Sequence, residues 1–103
     1  MTQPPTSELD ARIEMKAFID RSRAPYAEWY VGLSADPQTR LHEEHGVQES
    51  DWFIHRRLAG AEAAQRVHAS LVALGCEAGG AAEGEEDEPT GVYAYWKRGH
   101  TTP

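Results

Sequence analysis

Many of the side chains that could do chemistry in this 103-residue chain crowd into one run, W-Y-V-G-L-S-A-D-P-Q-T-R-L-H-E-E-H-G, over residues 29–46. That run holds Tyr30, Arg40, His42 and His45; His55, His68, Cys76 and Tyr93 follow downstream. An arginine offers a planar fork of donors suited to two oxygens of one anion. Arg40 also has Glu44 four positions on, a spacing at which helix residues pair. His42 and His45 stand three apart, close enough on one helix to share a metal, although no third ligand lies within sequence range. His45 is favoured near a helix end by the dipole as well. Tyr30 and Tyr93 fall in strand-like segments, where tyrosine is a common half-buried residue. His55 shares a face with Phe53 and can line a pocket. His68 borders an apolar stripe, the usual setting of a partly buried, satisfied histidine. Cys76 has no second cysteine to pair with and no basic neighbour to activate it, so its role is structural or incidental.

Six elements must position these groups. Ser7 caps a first helix, with Glu8 and Asp10 in its opening turn and Leu9, Ile13, Ala17 and Phe18 as its stripe, flanked by Met15 and Ile19. Pro25 ends that helix near Arg23. Residues 27–33 alternate as a strand, with Trp29, Val31 and Leu33 toward the core and Glu28, Tyr30 and Gly32 on the other face. Asp36, Pro37 and Gly46 bracket a short second helix that carries Arg40 on its first exposed turn. A second strand over 51–58 sets Trp52 and Ile54 against Phe53 and His55. A third helix over 61–74 buries Ala64, Val67, Leu71 and Leu74 and stops at Gly75. The last strand follows over 92–97, with Val92, Ala94 and Trp96 inward. The expected fold is α+β: a single small domain over 7–103, in the order α-β-α-β-α-β, whose three-stranded, mostly antiparallel sheet is covered by three helices. Residues 1–6 read as a disordered Pro-rich tail, and the Gly- and acid-rich stretch 76–90 as a mobile loop.

Composition narrows the function classes. No stretch reaches the roughly 20 apolar residues of a membrane span, and the first residues lack a signal peptide's basic start and apolar run. The expected setting is cytoplasmic, without a membrane partner, and the oligomeric state is left open. The formal charge of −7 argues against indiscriminate binding of nucleic acid, whose affinity comes from Lys and Arg. Six of the acids, however, are Glu77, Glu83, Glu85, Glu86, Asp87 and Glu88, and without them 10 basic residues face 11 acidic ones.

The Tyr30-Val31-Gly32 strand, the turn, and the helix bearing Arg40 resemble the second half of the GIY-YIG nuclease signature. In that family a G-[IV]-Y strand comes first and pairs with the Y-[IV]-G strand. Here no such strand precedes Tyr30, but Gly91-Val92-Tyr93 occurs near the C-terminus, which suggests a circular permutation. The resemblance implies metal-dependent cleavage of nucleic-acid phosphodiesters, with Mg²⁺ or Mn²⁺ as the cofactor. Tyr30 and Tyr93 would orient or deprotonate the water, and Arg40 would grip the phosphate. The family's metal-binding glutamate is replaced by His68, within Ala64-Gln-Arg-Val-His-Ala-Ser-Leu71, and imidazole is a poor ligand for Mg²⁺. Glu62 lies about 240° around the same helix from His68, which makes it a poor substitute. Two alternatives follow: a noncatalytic binding or regulatory module on the same scaffold, using an exposed aromatic face around Tyr30, His55 and Tyr93, or an unrelated small α+β interaction protein. Direct pairing of the Trp96 strand with the Trp29 strand favours the nuclease-like scaffold over the last of these.

Overall fold

A computed structural model of the chain describes residues 5–79 and 89–102. Helix α1 spans Glu8–Ser22, opened by the Ser7 hydroxyl, which accepts from the Asp10 N–H at 3.1 Å. It stops where Arg23 turns left-handed at φ 62°. A 3₁₀ turn, Tyr26–Glu28, feeds β1 at Trp29–Ser34. Asp36 caps the short α2, Pro37–Thr39, and the chain then widens into a π-helical turn over Arg40–Glu44. β2 (Phe53–Arg57), α3 (Ala61–Ala73), β3 (Glu77–Ala78) and β4 (Gly91–Trp96) complete the order.

The strands form one sheet in the order β2-β4-β1-β3. β4 lies in the middle, antiparallel to β1 from Trp29↔Trp96 to Ser34↔Gly91, and antiparallel to β2, where His55 faces Tyr93. β3 pairs with β1 in parallel, Tyr30↔Glu77. The sheet is therefore four-stranded and mixed, not three-stranded and mostly antiparallel. The extra strand is only two residues long and has no apolar alternation to announce it. Backbone bonding holds it, extended by the Gly79 N–H donating to Val31 O at 2.8 Å. It falls inside the stretch expected to be loop; the rest of that expectation rests mainly on residues 80–88, outside the described residues. The expected tail at 1–6 lies mostly outside them too, while Thr6 N–H donates to Arg57 O at 2.7 Å.

Helices α1 and α3 pack on one face of the sheet. They enclose a core of Ala11, Met15, Ile19, Trp29, Val31, Leu33, Ile54, Leu58, Ala64, Val67, Leu71, Cys76, Val92 and Ala94. Three expectations need correcting here. α1 buries Ala11, Met15 and Ile19, whereas Leu9 and Ile13 are 64% and 58% exposed. Both sets repeat every four residues, so spacing alone does not choose between them; packing against α3 does. Leu74 follows the last residue of α3 and is exposed. Trp52, expected within the second strand on the face of Ile54, precedes β2 and is 39% exposed, whereas Ile54 is buried.

The opposite face of the sheet buries Tyr30, Tyr93 and Tyr95 against Leu41 and Val47, with Phe53 at the margin. Here the cover comes from the π turn and its continuation to Val47. The C-terminal residues pin that cover, with Thr102 N–H donating to His45 O at 2.8 Å. No helix among the described residues is long and apolar enough to cross a membrane.

Candidate functional site

Strand alternation sends Tyr30, Tyr93 and Tyr95 to the face opposite Trp29. Two glycines give the phenols room. A Cβ on Gly32, which faces Tyr93 in the register, would strike the Tyr93 phenol, and one on Gly79 would strike that of Tyr30. Each tyrosine therefore lies across the neighbouring strand where that strand has no side chain. The glycine of Y-V-G serves the tyrosine of G-V-Y.

The π turn brings the remaining groups. An extra residue in the helical repeat is typical of functional sites, and here it lets Arg40, Leu41 and His45 all face the sheet. His45 is 5% exposed. Its Nδ1 lies 2.6 Å from Thr102 O, and a carbonyl can only accept, so Nδ1 carries the proton. In the neutral ring Nε2 then accepts from the Tyr93 hydroxyl at 2.8 Å. Tyr95 Oη, at 3.3 Å from Nδ1, takes a weaker share of the same proton. The His45 ring stacks at a tilt among all three tyrosines, with centroids 5.1–5.4 Å away.

Arg40 completes the cluster. Its guanidinium carbon stands 6.0 Å from the Tyr93 ring centre. Burial raises the Tyr30 phenol above its ordinary value, and the Arg40 charge partly offsets this. Burial, reinforced by the neighbouring phenols, pushes Tyr95 up further. The Arg40 side chain is 14% exposed and ion-paired to Glu44, whose own side chain is 54% exposed. Nε lies against Glu44 Oε2 in that pair, whereas the buried Nη1 has no hydrogen-bond partner among the described residues. A buried donor without an acceptor is rare and costs about 1–3 kcal/mol, so Nη1 calls for an explanation.

Of the residues singled out in the sequence, Tyr30, Arg40 and Tyr93 meet on this face. His55 joins its edge from β2, opposite Tyr93. Burial, then the Arg56 charge, depresses its imidazole. His68 does not join. It rises from α3 on the other side of the sheet, and its Nε2 donates to Gly79 O at 2.7 Å, with Val31 O at 3.3 Å. It is a latch for the end of β3 and not a pocket residue. His42 and His45 do not converge on a metal either. His42 Nδ1 donates to Val47 O at 2.7 Å, His45 is committed to Tyr93, and no group of three or more His, Cys, Asp or Glu among the described residues could hold an ion. The face around Tyr30 and Tyr93 is not exposed: Tyr30 is 9% accessible and Tyr93 fully buried. Cys76 is a buried core thiol, pushed by burial to about 11 and so protonated at neutral pH.

Sequence reasoning missed Tyr95 and the part played by His45. The alternation that placed Tyr93 on this face places Tyr95 there as well, which was a usable signal. The His45–Tyr93 bond joins residues 48 apart and had none. Comparison with protein-family models, curated proteins and solved structures finds no match to this chain.

Proposed function

We propose that the chain is a circularly permuted, GIY-YIG-like domain that receives a phosphate of nucleic acid at Arg40 and does not cleave it. The observation that carries this reading is the buried Arg40 guanidinium beside Tyr30 and Tyr93, whose Nη1 finds no hydrogen-bonding acceptor among the described residues. The scaffold half of the reading draws support from β4. The Gly91-Val92-Tyr93 strand lies directly beside the Tyr30-Val31-Gly32 strand, with β2 on its other edge.

The ion pair with Glu44 suggests how a phosphate enters. Glu44 lies on the outer side of Arg40 and is more than half exposed, so it can swing away as a phosphate oxygen takes its place. A guanidinium binds phosphate through paired, charge-assisted hydrogen bonds, which would satisfy Nη1 and replace the Glu44 contact at Nε. The tyrosine hydroxyls and His45 hold the guanidinium's surroundings rigid.

The metal implied by the resemblance does not fit the residues present. His68 stands in the position of the glutamate, faces the wrong side of the sheet, and spends its Nε2 on backbone carbonyls. A cleavage reading has one observation in its favour: the Tyr93–His45–Thr102 chain could take a proton from a nucleophile. Incubation with labelled single- and double-stranded DNA and RNA, across Mg²⁺, Mn²⁺, Co²⁺ and Zn²⁺, separates the two. Binding that weakens at least tenfold in Arg40→Ala, without cleavage, is the expected result. Cleavage that Arg40→Ala abolishes would overturn the noncatalytic reading, and absence of both binding and cleavage would overturn the phosphate site.

A further inference from the structure

A hollow of about 550 Å³ opens at the far end of β2 and β4, with Gln48, Asp51, Trp52, Trp96, Arg98 and His100 in its lining. Its size falls within the roughly 300–1,000 Å³ typical of small-molecule sites. None of the Arg40 cluster lines it. Its walls come from the loop before β2 and the chain after β4, two segments tied by the Trp96 N–H donating to Trp52 O at 3.0 Å.

The aromatic groups here are fixed. Trp52 rests on Phe18, with centroids 5.2 Å apart and planes at 50°, yet stays 39% exposed. Arg98 lies over the Trp96 ring, 4.7 Å from its centre, and so offers the outer face of a stacked guanidinium. On the polar side, Asp51 Oδ2 accepts from Gln48 N–H at 2.8 Å and from His100 Nε2 at 2.6 Å. Oδ1 of the same carboxylate makes no hydrogen bond among the described residues. Burial would raise this carboxyl, but His100 and the Gln48 N–H outweigh it and keep Asp51 ionised. The hollow thus combines a rigid indole face, a flat cation and an acceptor edge.

We infer that this hollow binds a nucleobase, stacked on Trp52 and the Arg98 guanidinium, with its amino edge donating to Asp51 and its phosphate near Arg98. Bases stack on aromatic side chains and on arginine planes, and each such contact matters measurably to affinity. An amino or imino N–H is the complement to a carboxylate acceptor. Arg98 disfavours the alternative occupant of an aromatic recess, a quaternary ammonium. The inference stands apart from the phosphate site, because no residue is shared.

The base could belong to a free nucleotide or to a single strand, and one experiment covers both. The full chain is titrated with AMP, GMP, CMP and UMP, and with a single-stranded hexanucleotide. Tryptophan fluorescence and the indole N–H resonances in a ¹H–¹⁵N spectrum provide the readouts. Saturable quenching is expected, with the Trp52 and Trp96 resonances moving and that of buried Trp29 still. Trp52→Ala and Arg98→Ala should each weaken binding at least tenfold. Equal saturation by mononucleotide and hexamer assigns a free nucleotide; tighter hexamer binding assigns a single strand. No saturation with any probe, or binding unaltered in both hollow variants of native thermal stability, overturns the site.

Discussion

The two faces of the sheet are built on opposite principles. On the helix face, α1 and α3 cover aliphatic side chains and Trp29, and that core includes no charged residue. On the other face, one short segment containing a π turn covers three tyrosines and brings to them a histidine bonded to two of them and an arginine whose Nη1 lacks an acceptor among the described residues. The first arrangement contributes stability by removing apolar surface from water. The second carries a cost that stability alone does not explain, which is the pattern expected where a fold holds a ligand-binding group ready.

Substitutions on the two faces should differ accordingly. Trp29→Ala, in the dry core, removes a fully buried indole and should cost about 3–5 kcal/mol in a denaturant titration. A loss below 1 kcal/mol would mean that the helix face is not the main support. Gly32→Ala should cost about 1–3 kcal/mol, since its methyl must displace the Tyr93 phenol. If the clash is what matters, pairing it with Tyr93→Ala should give a double variant less destabilised than the two single losses added together. Arg40→Met should leave stability within about 1 kcal/mol or raise it, because it deletes a largely buried charge whose Nη1 is unmet and whose one ion-pair partner, Glu44, is exposed. Strong destabilisation of that variant would make Arg40 a structural residue and erase the contrast between the faces.

The smallest effect is one of pH. The His55 imidazole is depressed below its ordinary 6.5, so the unfolded chain binds its proton first as pH falls. Its contribution to stability is therefore present above about 6.5 and is lost as pH drops from there through the folded value. His55→Gln should flatten that part of the stability–pH curve; an unchanged slope between pH 7 and 5 would assign the loss to other groups.

Much of the helix face was legible in the sequence. Caps at Ser7 and Asp36, the end of α1 near Arg23 ahead of Pro25, and the alternation of β1 and β4 are local signals; the left-handed turn at Arg23 itself is not one of them. The phase of α1 was not, because Leu9 and Ile13 repeat as regularly as Ala11, Met15 and Ile19, and only contact with α3 selects between them. β3 was hidden because two residues held by backbone bonds leave no side-chain pattern. The site was legible only in outline. A motif brought Tyr30, Arg40 and Tyr93 into one frame, and the sheet order puts them on one face. The π turn, the His45–Tyr93 bond and the diversion of His68 to Gly79 depend on contacts between distant parts of the chain, which spacing does not encode.

The central claim, an arginine held ready for a phosphate and guarded by Glu44, is tested most directly by comparing nucleic-acid affinity in the native chain, Arg40→Met and Glu44→Gln. Fluorescence anisotropy with a labelled oligonucleotide at low salt is the measurement. The two substitutions should move affinity in opposite directions. Arg40→Met should weaken binding at least tenfold, and Glu44→Gln should tighten it by about fivefold, the equivalent of roughly 1 kcal/mol from removing a competing carboxylate. Equal affinities in all three proteins would contradict the account.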